Sequence, residues 1–215
     1  YWNDVNGKKF TDTTVTADTI LTAQWKNTDS VILSVADGSK VKTVKVDGQK
    51  QNILTMCGKW TEVPEDEKCT IPVLVDGKAA AADDLRWYVD AKSYVEEFGF
   101  DDSVLTGDDI IAIDAQYGEI RVKHSGIVRV YCESVTDSSI KLSFVLVVPG
   151  DMNKDGLVDL DDVDYAVEVA TPPDKLSDSA EDYFIKLLGD MDKDGVVDLD
   201  DVNELVEIAT YTKEI

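Results

Sequence analysis

Histidine occurs once in this 215-residue chain, cysteine three times and proline five times, and basic side chains fall far short of acidic ones. Each scarcity removes a class of function. His124 lies in Lys123-His-Ser-Gly126 with no nucleophile elbow and no His/Cys metal-ligand spacing, so it reads as an exposed turn residue rather than a catalytic base. Cys57, Cys69 and Cys132 are too few for a disulfide scaffold, and an odd number leaves at least one outside any pair. A bridge between Cys57 and Cys69 stays open. The 21 Lys and Arg against 44 Asp and Glu give a net charge of −23, which argues against nucleic acid or an anionic membrane surface as partner. No apolar run approaches the ~20 residues of a membrane helix, so no membrane insertion is expected. The chain opens at Tyr1 with neither initiator Met nor signal-peptide pattern, which reads as an internal or C-terminal fragment. Its length suits two or three small domains.

What the chain does have is one acidic loop written twice. Asp151-Met-Asn-Lys-Asp-Gly-Leu-Val-Asp-Leu-Asp-Asp162 returns as Asp190-Met-Asp-Lys-Asp-Gly-Val-Val-Asp-Leu-Asp-Asp201. Residues 151–171 match 190–210 at fifteen of twenty-one positions, a period of 39. Oxygen side chains stand at loop positions 1, 3, 5, 9 and 12 with glycine at 6, the spacing that calcium requires. Two ions are expected. Asp151, Asn153, Asp155, Asp159 and Asp162 would hold the first, and Asp190, Asp192, Asp194, Asp198 and Asp201 the second. Leu157 and Val196, at position 7, would each add a backbone carbonyl. Gly156 and Gly195 supply the sharp turn, where a Cβ would clash. Each loop runs into a helical stretch, Val163–Ala170 and Val202–Ala209, and in the first Val163, Ala166, Val167 and Ala170 follow the apolar spacing of a helix face. Residues 149–215 hold 20 acidic and 5 basic side chains. Self-repulsion of that size should leave this part loose without metal.

A regular EF-hand is helix–loop–helix with a bidentate Glu at position 12. Here position 12 is Asp twice, and Val148-Pro149-Gly150 leaves the first loop no entering helix. Duplicated loop–helix units of this kind, starting at Gly150-Asp151 and Gly189-Asp190, resemble a dockerin module over about residues 149–215. The resemblance implies a non-catalytic module that plugs its host protein into a cohesin on a scaffoldin or cell surface, outside the cell. It also implies recognition positions at loop positions 10, 11 and about 17–18: Leu160, Asp161, Val167 and Glu168, then Leu199, Asp200, Val206 and Glu207. Many dockerins carry hydroxyl residues at 10 and 11, whereas this chain has Leu-Asp twice. An exposed leucine there suits an apolar contact, although Leu160, Leu199, Val167 and Val206 could instead pack inward.

The remainder reads as β-structure. Residues 1–27 carry an Asn6-Gly7 turn signal and end in Ile20-Leu-Thr-Ala-Gln-Trp25. They resemble the C-terminal part of a Listeria–Bacteroides surface repeat, a β-grasp-like module. Residues 28–148 form short runs at Val31–Val35, Val41–Val46, Cys69–Val75, Leu85–Val89, Ile110–Ile113, Ile120–Lys123, Ile127–Glu133 and Ile140–Val148. Runs so spaced argue a β-sandwich, with residues 50–84 as an insertion. Over residues 85–148 they resemble a bacterial Ig-like domain, which beside a dockerin implies a stabilising X module abutting the first loop. The expected class is mainly β with a small α C-terminal module of paired calcium loop–helix units.

Trp87 reads as a core residue of the sandwich rather than a sugar platform, and Trp60 lies in the polar stretch 58–68. The acidic pairs Asp83-Asp84, Glu96-Glu97, Asp101-Asp102 and Asp108-Asp109 read as solvated loops. None has a context for glycosidase acid and base chemistry. The reading is therefore a non-catalytic, calcium-dependent binding fragment of an extracellular, polysaccharide-degrading complex. The alternative is an EF-hand-type calcium-responsive switch in a surface adhesin, whose helices would open on binding.

Overall fold

The computed structural model describes residues 2–3, 22–23, 31–56, 69–171, 176 and 179–211, and the chain divides into two compact units, Tyr1–Val31 and Ile32–Ile215. In the first, β1 (Trp2–Asn3) pairs antiparallel with β2 (Thr22–Ala23), Trp2 opposite Ala23. The expected Asn6-Gly7 turn, Cys57 and Trp60 lie outside the described residues.

The second unit starts with β3 (Leu33–Val35), β4 (Lys42–Val46) and β5 (Gln49–Thr55). It continues through β6 (Cys69–Thr70), β7 (Val73–Val75), β8 (Lys78–Ala79) and β9 (Leu85–Asp90) to two single-turn helices, α1 (Ser93–Glu96) and α2 (Gly107–Ile110). Strands β10 (Ile111–Ile113), β11 (Glu119–Val122), β12 (Gly126–Ser134) and β13 (Lys141–Val148) complete the β part. Three helices follow: α3 (Leu160–Ala170), α4 (Ala180–Gly189) and α5 (Leu199–Tyr211). The chain is thus mainly β with a few small helices.

The largest sheet has the order β4-β5-β13-β12-β9, flanked by the smaller sheets β10-β11-β6 and β3-β7-β8. Register sorts its side chains by the two-residue period of a strand. Trp87, Cys132 and Leu142 share one row and Leu54, Leu146 and Val128 another, all directed to the same face. Trp87 is buried and stacks on Phe144 at 5.8 Å, and a Cβ on Gly118 would stand 2.5 Å from its ring. The opposite face carries Arg86, Glu133 and Lys141 in one row and the stacked pair Tyr88 and Tyr131 in the next.

Several elements depart from the expected pattern. Strand β5 was expected to be insertion, yet it lies inside the sheet, antiparallel to β4 and parallel to β13. Its first half, Gln49-Lys-Gln-Asn52, is too polar to show as a strand run. The Asp47-Gly48 dipeptide that turns β4 into β5, with φ of 48° and 77°, is the hairpin signal that marks it. Asp76-Gly77, at 52° and 75°, does the same between β7 and β8. Ile110 closes helix α2 instead of opening a strand. The acidic pairs are not all plain solvated loops. Glu97 makes a two-pronged ion pair with Arg129, whose side chain is buried and also reaches Gln51 and Ser143. Asp109 accepts from the amide and hydroxyl of Thr106, at 2.9 and 2.7 Å, as the capping box of α2. His124 is exposed, its amide donating to the carbonyl of Ile110.

The change from strands to loop–helix structure falls at residues 148–150, within a single compact unit. Helix α4 lies against β13, α3 against α5, and Phe98 of the β part meets Phe184 of α4 edge-on at 5.2 Å. One apolar cluster therefore runs from Ile53 and Trp87 through Val147 and Met152 to Leu188 and Leu205.

Candidate metal centre

Each acidic loop is held by its own short side chains bonding to backbone amides, which is what Asp and Asn favour in turns. In the first loop Asp151 accepts from the amides of Asp155 and Gly156 at 3.1 and 2.9 Å. Asn153 accepts from Asp155, and Asp155 from Leu157. Asp159 caps α3 by accepting from Asp161. Asp162 receives three amides, those of Met152, Asn153 and Asp159, at 2.8, 3.1 and 2.9 Å.

The second loop repeats most of this lattice 39 residues on. Asp190 accepts from Gly195, Asp192 from Asp194, Asp194 from Val196 and Asp198 from Asp200. Asp201 receives Met191, Asp192 and Asp198. Lys154 and Lys193 take matching left-handed φ angles of 66° and 67°, followed by Gly156 at 87° and Gly195 at 97°. Nearly identical sequence has given closely matching backbone.

This lattice turns the carboxylates inward at a cost. Asp151, Asp162, Asp190 and Asp201 are all buried. Burial, then the charge of Asp162, pushes the Asp151 carboxyl up to about 7, and burial pushes Asp162 up to about 6 against the pull of its three amides. Asp190 and Asp201 are raised as well, first by burial. In the second loop, oxygens of Asp190, Asp192 and Asp194 lie within 4.8 Å of one another.

The residues present fit a hard cation. All ten donor side chains are oxygen donors, and the buried Oδ1 of Asp190 has no hydrogen-bond partner. An ionised carboxylate has about four acceptor sites, so the three amides on Asp162 and on Asp201 leave each room for one more bond. Leu157 and Val196 have exposed apolar side chains, so only a backbone carbonyl can serve as ligand there.

The expected recognition positions lie on the surface. Leu160 and Leu199 are 47% and 58% exposed, and Val167 and Val206 39% and 37%. Asp161, Glu168, Asp200 and Glu207 are exposed beside them. Of the eleven large hydrophobic side chains exposed among the described residues, six form the pairs Leu157/Val196, Leu160/Leu199 and Val167/Val206, each 39 residues apart. The expected inward stripe is corrected accordingly. Helix α3 buries Val163, Ala166 and Val169, and α5 buries Val202, Leu205, Ile208 and Ala209, leaving Val167 and Val206 outside. Sequence reasoning missed Ser125, whose hydroxyl accepts from the Asp151 amide, and Tyr94, which stacks on the Phe100 ring that Lys154 faces; neither carries a local motif. No family model, curated protein or solved structure matches this chain.

Proposed function

We propose that residues 149–215 form a calcium-dependent docking module of the dockerin kind, binding a cohesin on a scaffoldin or cell-surface anchor. In this reading the Ig-like β part rides beside it as an X module and performs no catalysis. The protein acts outside the cell, in a polysaccharide-degrading complex. One observation carries the reading: two loops with nearly the same hydrogen-bond lattice also expose the same three apolar positions. A solvated acidic turn has no reason to repeat a leucine and a valine on its outer face, while a contact surface does.

The residues that would hold two calcium ions are the ten loop side chains with the carbonyls of Leu157 and Val196. Calcium would supply the positive charge that lets the buried carboxylates stay ionised. Asp159 and Asp162 then keep their roles in the capping box of α3, so metal binding and helix formation act on the same residues.

The test is a pull-down of the full chain against a panel of purified cohesins, with and without chelator. Capture by at least one cohesin that chelator abolishes is expected. Equal capture with and without chelator would reject calcium dependence, and no capture by any cohesin would reject the partner. Helix α4, entering the second loop, favours a calcium-responsive switch as second reading. Its packing on β13 and the bond from the Gly150 amide to the Leu188 carbonyl weigh against a helix that swings open.

A further inference from the structure

We propose that the first calcium loop is a joint site, completed from outside by Ser125, Tyr94 and the 98–105 segment of the β part. The proposal rests on the calcium reading above and assigns its two sites different roles.

The contacts differ between loops of equal backbone. The amide of Asp151, the first ligand residue, donates to the Ser125 hydroxyl at 2.7 Å, and that buried hydroxyl donates to the Val148 carbonyl at 2.9 Å. Ser125 thus ties the end of β13 to the start of the loop. The Lys154 carbonyl accepts from the Asp101 amide at 2.9 Å. Gly156 is buried against Val104 and Leu105, where a Cβ would stand 3.2 Å from the Val104 Cβ. Tyr94, fully buried, stacks on Phe100 at 4.4 Å, and the Lys154 ammonium sits 5.8 Å over that same ring. The buried Tyr94 hydroxyl has no hydrogen-bond partner. A buried phenol so placed is a group for the outer sphere of the first site.

Among the described residues, the second loop has different surroundings. Gly195 is exposed with open space where a Cβ would go. Asp194 and Asp198 are exposed where Asp155 and Asp159 are half-buried. The second loop carries the extra charge, Asp192 for Asn153, and the first carries the rigid frame. Affinity depends on both ligand charge and rigidity. What separates the sites is linkage: ordering of 93–106 and filling of the first site must favour each other equally, while the second site acts on 93–106 only through the shared core.

Hydrogen exchange read by mass spectrometry on the full chain, with calcium titrated by calorimetry, tests this. Calcium should slow exchange across residues 93–106 more strongly in the wild type and in Asp190→Ala than in Asp151→Ala. Tyr94→Phe, which keeps the packing, and Ser125→Ala should each weaken one of two calcium-binding events by about tenfold and leave the other unchanged. Equal protection of 93–106 in Asp151→Ala and Asp190→Ala, or equal weakening of both events by Tyr94→Phe and Ser125→Ala, would overturn the joint site while calcium binding stands. Wild-type protein that takes up no calcium would remove the calcium reading and this proposal with it.

Discussion

Asp151 and Asp162 are acids kept out of water, and their titration has a direction that can be measured. Both carboxyls sit above the ordinary carboxylate range near 3.9, at about 7 and about 6. A raised folded-state pKa means that the calcium-free fold binds protons more tightly than the unfolded chain. That stabilisation is complete below about pH 4 and is lost as pH rises through 6 to 7. Chelated protein should therefore melt at a lower temperature at about pH 7.5 than at about pH 4.5. Calcium needs the ionised form, so its stabilising effect should be larger at the higher pH. Thermal melts at both values, with calcium and with chelator, check the sign; a chelated protein most stable at neutral pH would contradict it. The loop side chains proposed as ligands were legible in the sequence because they are local, each at a fixed offset from the glycine. Ser125 and Tyr94 were not, because they reach the site only after β12 and α1 are placed by the sheet.

At the scale of elements, α3 and α5 present the same outer residues, so a partner could use either. Two units related by a half-turn would offer one surface in two orientations. Leu160→Arg with Val167→Arg should leave cohesin affinity within a few-fold of wild type, and adding Leu199→Arg and Val206→Arg should abolish it. A large loss from one double variant and none from the other would show that a single unit is used. Helix faces and strand runs differed in how well they could be read. The longer strands β9, β12 and β13 stand out by their apolar runs, close to their observed limits. Strand β5 hid because half of it is polar, although Asp47-Gly48 announced its hairpin. Val167 fits the inward stripe by spacing, but the helix turns its neighbours Ala166 and Val169 inward and leaves it out. Four apolar residues in a row of helical spacing do not say which edge of the stripe meets the core.

For the whole second unit, the consequence of one shared core is cooperativity. Phe184 is buried in α4 and meets Phe98 from the β part. Truncation of a buried phenylalanine costs on the order of 3–5 kcal/mol. Phe184→Ala should therefore lower the melting of strands and helices together, as one transition. Far-ultraviolet dichroism of the helices and hydrogen exchange in β12 and β13 should move in step with chelation as well. Two separated transitions, with the strands untouched, would show that the helical part melts alone. A boundary between residues 148 and 149 was legible as a change of pattern. The packing across it was not, because Phe98 and Phe184 stand far apart in sequence and belong to no shared motif.

Strand β13 lies third in its sheet, between β5 and β12, though it is the last strand among the described residues. Its parallel pairing sets Val145 beside Ile53 and Leu146 beside Leu54. A chain emerging from a ribosome or a secretion channel in order would hold β4 and β5 apart from β9 and β12 until residue 141 is out. Pairing of such sequence-distant segments is slow, because the intervening loop must close first. Through that interval Leu54, Val128 and Val130 are strand residues without their central neighbour, a state open to mispairing with other chains. Gly150 follows within two residues of β13, so the segment that closes the sheet is also the one that brings the first acidic loop into place.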